Sequence, residues 1–109
     1  MADTFKVLAQ VNPLAATLTD AYTVPGATST VVSSIVVANR SGGTVQYRIS
    51  VAPGGAVDAL QHYLFYDVDL ARRSSITFTL GITMAATDKI RVYAQTANLS
   101  FNIFGVEVT

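Results

Sequence analysis

Residues 98–109 read NLSFNIFGVEVT, and how this stretch is laid down decides the fold. Leu99, Phe101 and Ile103 alternate with Ser100 and Asn102, a period of two that specifies a half-buried β-strand. After Phe104 the apolar phase slips to Val106 and Val108, with Gly105 at the slip. A glycine there predicts a β-bulge or a bend that re-aims the strand. The segment carries the heaviest apolar load in the chain, so it is expected to run as a central strand of one sheet.

The same period recurs upstream. In TVQYRISV (44–51), Val45, Tyr47, Ile49 and Val51 share one face against Thr44, Gln46, Arg48 and Ser50. SITFTLGIT (75–83) sets Ile76, Phe78, Leu80 and Ile82 against threonines, and KIRVYA (89–94) sets Ile90, Val92 and Ala94 against Arg91 and Tyr93. Further strands are predicted at 5–11, 30–39 and 62–68, with a short one at 20–24. Turn chemistry separates them: NP at 12–13, PG at 25–26, RSGG at 40–43 and PGG at 53–55. Only AVDALQ (56–61) suits a helical turn. Short strands punctuated in this way predict an all-β fold, an antiparallel β-sandwich, jelly-roll-like, of seven to eight strands. Its core is expected to hold Val45, Tyr47, Ile49, Ile76, Phe78, Leu80, Ile90, Val92, Leu99, Phe101 and Ile103.

At 109 residues the chain reads as a single domain, residues 1–109. Half of its residues are hydrophobic and only 13% are charged, against about 25% in a typical soluble domain. A chain this short buries roughly two thirds of its unfolded surface. The remainder must therefore be covered largely by Thr, Ser, Asn, Gln and exposed apolar groups, the surface of a protein that assembles. Seven basic and seven acidic residues cancel, and the basic ones are scattered, so no patch exists to neutralise nucleic-acid phosphates. No segment approaches the length of an apolar membrane span, and MADTFKVLAQ lacks the pattern of a secretory signal. There is no cysteine, which excludes disulfides, thiolate catalysis and cysteine-based zinc sites.

Few residues invite chemistry. His62 is the only histidine; with Asp67 it would fall on the opposite face of one strand, and no nucleophile-elbow motif is present. Asp67 and Asp69 share a face near a strand end, but no calcium-loop pattern surrounds them, so they read as solvated turn acids. Tyr22, Tyr47, Tyr63, Tyr66 and Tyr93 could stack on sugar rings, although core or subunit contact is the commoner fate of tyrosines in strands. Asn39-Arg40-Ser41 and Asn98-Leu99-Ser100 match the N-glycosylation pattern, which is short enough to arise by chance. No catalytic residue, cofactor or metal is expected.

Six segments in fixed order carry a resemblance: YTVP (22–25), SSIVVANRS (33–41), YRISVAP (47–53), HYLFYDV (62–68), LGITMAATDKIRVYA (80–94) and LSFNIFGVE (99–107). In a match that covers roughly residues 5–108, they resemble a family of small structural proteins of tailed bacteriophages, cyanophages among them, which also occur as domains in tail and fibre proteins. The resemblance implies a non-enzymatic virion component with a β-sandwich fold. It implies a location on the outer capsid surface or the tail, after synthesis in the bacterial host cytoplasm. A capsid decoration or cement protein is the leading expectation, with the major capsid protein as partner. A tail, baseplate or fibre component is the alternative, extending to a host-glycan-binding adhesin. Low charge and open sheet edges lead to an expected homotrimer, threefold closure matching capsomer junctions. Residues 1–12 are expected to serve as an N-terminal arm or edge strand. Phe5, Val7, Arg48, Tyr66, Arg91 and Tyr93 are the candidate interface residues.

Overall fold

The computed structural model describes residues 2–109. Nine strands form in chain order: β1 (Asp3–Val11), β2 (Thr19–Thr23), β3 (Ser29–Asn39), β4 (Val45–Ala52), β5 (Tyr63–Leu70), β6 (Ser75–Phe78), β7 (Ile82–Met84), β8 (Lys89–Ala94) and β9 (Leu99–Val108). Two antiparallel sheets pack face to face. One runs β1-β9-β3-β6, with β7 also paired to β3, and the other runs β2-β8-β4-β5. The fold is an all-β sandwich. Single 3₁₀ turns form at Pro53–Gly55, just before the segment expected to turn helically (56–61), and at Leu60–His62, which takes in its last two residues.

β9 lies between β1 and β3, so the stretch 98–109 is central in its sheet. Residues 3–11 form an edge strand, and backbone bonds between Ala2 and Thr109 close the end of that pair. The core collects the inward phase of both sheets. Tyr47, Ile49, Ile90, Val92, Leu99, Phe101 and Ile103 are almost wholly buried, as their alternation requires. β3 adds Val32, Ile35 and Val37, and the flanking segments add Val24, Leu70 and Met84.

Three expectations need correction. The segment 75–83 is two strands, which raises the count to nine. β6 pairs with residues 35–38 of β3 and β7 with residues 30–32, and the chain leaves the ladder between them through Gly81 at φ 63°. The gap falls beside Ser33, an extra residue in β3, where the edge of that strand is already irregular. Second, Ile76 and Leu80 are not core residues, being 37% and 45% exposed. Ile76 lies on an edge strand at the rim of the sandwich, and Leu80 lies in the gap. Phe78 is half-buried and stacks on Phe65 across the opening between the sheets, with ring centroids 4.1 Å apart.

The third correction concerns Gly105. β9 does not change phase there: Leu99, Phe101, Ile103, Gly105 and then Glu107 all point inward. The extra residues lie in the neighbours, Leu8 in β1 and Ser33 in β3, so both flanking strands bulge beside this glycine. A Cβ on Gly105 would lie 2.2 Å from the Val31 carbonyl oxygen and 3.0 Å from Leu8 Cδ1. The glycine is therefore required by close approach, and Leu8 fills the space beside it. The slip in the apolar pattern is real but means something else. At this end of β9 the polar residue faces in, and Val106 and Val108 face out.

Candidate interaction surfaces

The two outer faces of the sandwich differ sharply in chemistry. On the first sheet, cross-strand register places Phe5, Val106 and Val31 in one row, with Val7 opposite Phe104 in the next. Val108 lies between Asp3 and Ser29 at the end. Phe5 is 80% exposed, Val7 47% and Val31 40%. Asp3, at the rim, is the one charge in these rows. Farther along the face the rows turn polar, with Gln10 opposite Asn102 and Asn102 opposite Val36. There Arg40 is held by Asn12, Ser100 and the Ala97 carbonyl.

The outer face of the second sheet carries the charges. Arg48 donates through Nε to Asp67 Oδ1 at 2.6 Å and through Nη2 to Oδ2 at 3.3 Å. Its guanidinium also lies between the Tyr66 and Tyr93 rings, 4.2 Å from each centroid, where both π faces attract the cation. A bulge makes this possible. Tyr66 and Asp67 together oppose the single residue Arg48, and Asp67 takes a left-handed φ of 52°, which aspartate tolerates better than most residues. Asp67 holds the Arg48 guanidinium pKa above its ordinary value. Tyr63 meets Tyr66 edge-on at 5.0 Å and donates to Asp58. Burial, followed by the Asp58 carboxylate, raises the Tyr63 hydroxyl pKa. Nearby, Asp20 accepts from Lys89 and Arg91, both at 2.9 Å, and these bonds lower its pKa, Lys89 contributing most. Arg91 spends its remaining donors on the Ala56 and Gly55 carbonyls, which pins the 53–62 loop over the sheet.

A third polar cluster ties the two sheets together at one end. Tyr22 on β2 donates to Glu107 on β9 at 2.5 Å, and Lys6 on β1 donates to the other carboxylate oxygen at 3.2 Å. Tyr22 has a single proton, given to Glu107, so Thr30 must donate across the 2.9 Å contact between the two hydroxyls. Burial, reinforced by the carboxylate, pushes the Tyr22 pKa up to about 12. The hydrogen bond from Tyr22, and then Lys6, holds Glu107 below the ordinary range.

The structure thus divides the six interface candidates. Phe5 and Val7 lie together on the apolar face; Arg48, Tyr66, Tyr93 and Arg91 lie on the opposite, charged one. Both arginines are engaged within the chain. Periodicity alone missed Val31, Phe104, Val106 and Val108 as members of the apolar face. The alternation after Gly105 held that signal. Of the five tyrosines, Tyr22 and Tyr47 belong to the core, and burial raises the Tyr47 pKa. His62 ends the second 3₁₀ turn with Nδ1 buried and without a hydrogen-bond partner. Among the described residues no three of His, Asp and Glu converge as metal ligands would. Asn39 of the first glycosylation pattern is buried. Its amide donates to the Gly43, Leu70 and Ala71 carbonyls, and its oxygen accepts from Ser41.

No protein-family model and no curated protein sequence matches the chain.

Proposed function

We propose that the chain is a non-enzymatic structural component of a tailed-phage virion, placed on the outer capsid surface as a decoration protein that stabilises the head. Copies close as a homotrimer and contact the major capsid protein. The observation that carries the reading is the uncovered apolar face of the first sheet, beside the open edge of β1. An apolar sheet face and an unpaired edge together are a liability for a free-standing protein and an asset for one that is built into a particle. The resemblance over residues 5–108 supplies the kind of particle. Arg40, Arg48 and Arg91 and most of the acids are engaged by other groups of the chain, which favours a structural role over a catalytic one.

The test is the protein inventory of purified particles. Hundreds of copies per particle support capsid decoration, whereas tens or fewer move the chain to the tail, baseplate or fibre. Absence from the particle overturns the reading. A second reading, a glycan-binding tail adhesin, draws on Tyr66, half exposed beside Tyr63 and Arg48 on the charged face. It requires glycan-array binding that Tyr66→Ala abolishes.

A further inference from the structure

We propose that the end of the sandwich carrying Arg40, Arg72 and Arg73 docks a partner that presents carboxylates there, an acidic surface of another protein of the particle. The inference rests on the reading above for the kind of partner. Charge carries it.

The seven basic residues are scattered along the sequence, but the fold sorts them. Lys6 is paired with Glu107, Arg48 with Asp67, and Lys89 and Arg91 with Asp20. Arg40, Arg72 and Arg73 are exposed and make no ion pair among the described residues. These three lie together. The 40–43 and 71–74 turns are stitched side by side: the Arg73 amide donates to the Ser41 carbonyl at 3.1 Å, and the Asn39 amide to the Ser74 carbonyl at 2.8 Å. Asp69, near the end of β5, is the one acid left without an ion-pair partner at this end, against three arginines. Towards the other end, Asp3, Asp20, Asp58, Asp88 and Glu107 outnumber Lys6, Lys89 and Arg91. A chain that is neutral overall is therefore polar along its strands, and its arginine end attracts acids.

Arg40 shows how that end is built. Its guanidinium is fixed by three neutral oxygens: Nε donates to Ser100 Oγ at 3.1 Å, and Nη2 to Asn12 Oδ1 at 2.9 Å and to the Ala97 carbonyl at 3.2 Å. The group is held in place while its charge stays uncompensated. Arg48 and Arg91, by contrast, are held by carboxylates. Asn12 and Ser100 also line a recess of about 280 Å³ together with Gln10 and Asn102. Asn12 gives its oxygen to Arg40 and keeps its NH₂, and the Ser100 hydroxyl, accepting from Nε, keeps its proton. A guanidinium already oriented, beside amide and hydroxyl donors, fits a carboxylate, which only accepts. Arg73 adds a second sign. It holds a left-handed φ of 49°, which glycine and asparagine adopt more readily, yet the position carries an arginine.

Carboxylates are favoured over nucleic-acid phosphates. Strong phosphate binding draws on roughly six to ten contacts along a basic stripe, whereas three arginines stand here on a chain of zero net charge.

Titration of labelled poly-L-glutamate and of a labelled DNA duplex with the purified protein, followed by fluorescence anisotropy at about 20 mM and about 150 mM salt, tests this. The variants are Arg40→Gln, the pair Arg72→Gln with Arg73→Asn, whose asparagine suits the left-handed turn, and Lys89→Gln towards the other end; circular dichroism confirms that each folds. The parent should bind poly-L-glutamate more tightly than DNA, and less tightly as salt rises. The paired turn substitutions should weaken that binding about fivefold or more and Arg40→Gln about twofold or more, with Lys89→Gln indistinguishable from the parent. No binding at low salt, binding indifferent to the arginine substitutions, an equal loss in Lys89→Gln, or tighter binding of DNA overturns the proposal. The particle inventory is independent of this titration, so failure of the virion reading and failure of acidic docking are told apart.

Discussion

Gly105→Ala is expected to be among the most damaging single-methyl additions this fold can receive. The new Cβ would lie 2.2 Å from the Val31 carbonyl oxygen and 3.0 Å from Val32 Cα. Both are backbone atoms of the neighbouring strand and cannot rotate away as a side chain can. Carbon and carbonyl oxygen settle at about 3.3 Å, so β3 and β9 must part locally by about 1 Å. That stretches ladder hydrogen bonds from about 2.9 Å to nearly 4 Å, beyond any useful geometry. One or two lost bonds at about 1 kcal/mol each, added to an overpacking cost of about 1–3 kcal/mol, give roughly 2–5 kcal/mol. Melting should fall by about 10 °C or more. Urea unfolding followed by circular dichroism measures the loss. Gly43→Ala serves as the control, since nothing lies within 4 Å of its Cβ position and its effect should stay within about 0.5 kcal/mol. A loss for Gly105→Ala below about 1 kcal/mol with an unchanged m-value would refute the close approach on which this reading of β9 depends.

Three further outcomes are expected. Phe101→Ala should cost roughly 3–5 kcal/mol by opening a cavity in the core, whereas Ile76→Ala and Leu80→Ala, exposed in the structure, should each cost less than about 1 kcal/mol; equal losses in chemical denaturation would return the latter two to the core. Asn39→Ala removes a buried amide that bonds three carbonyls at the junction of β3, the 40–43 turn and the end of β5, two of which keep a serine donor, and should cost roughly 1–3 kcal/mol, more than Asn98→Ala at an exposed position. Stability should depend on pH at both extremes. Glu107 and Asp20 have folded pKa values below their ordinary 4.5 and 3.8, so their contribution is present above those values and lost as pH falls through the lower folded ones. Tyr22 is raised from 10.0 to about 12, so its contribution is complete below pH 10 and is lost as pH rises towards 12. Melting temperatures across the range should show both flanks, with the alkaline one reduced in Tyr22→Phe.

The fold was readable because its central strands obey one rule without interruption. Tyr47, Ile49, Ile90, Val92, Leu99, Phe101 and Ile103 alternate with polar residues, and one slip of register would expose them all. Reading failed where alternation exists without burial. Ile76 and Leu80 keep the period, but a period cannot tell an edge strand from a central one, and no local signal places the rim of a sandwich. Gly81 marked the break between β6 and β7, yet a glycine inside a strand pattern is equally compatible with continuation. Gly105 was recognised as an irregular point, but the bulges it accommodates lie in β1 and β3, more than seventy residues away in sequence. No single-strand pattern holds that information. The candidate surfaces were half readable for the same reason: Phe5 and Val7 stand out as apolar residues on an edge, while their partners Val31 and Val106 join them only through the register.

The Arg48 cluster illustrates how a surface charge can be read two ways. An arginine at an outward strand position in a protein with few charges looks like a group reserved for a partner. In the fold it lies between two aromatic rings and against a carboxylate, with a side chain only 24% exposed. Withdrawing it to meet a partner would sacrifice two cation–π contacts and a two-point ion pair at once. Arg91 is tied as firmly, through Asp20 and the carbonyls of the 53–62 loop. The second sheet thus pairs Arg48 with Asp67, and Lys89 and Arg91 with Asp20, within the chain, and leaves only Asp69 of β5 exposed without an ion-pair partner. The first sheet presents valines and phenylalanines outward, with the nearest carboxylate of β9 turned in. A sandwich whose ions are paired on one outer face and whose apolar side chains are exposed on the other is chemically two-sided, and in the proposed assembly the apolar side is the one that would be covered.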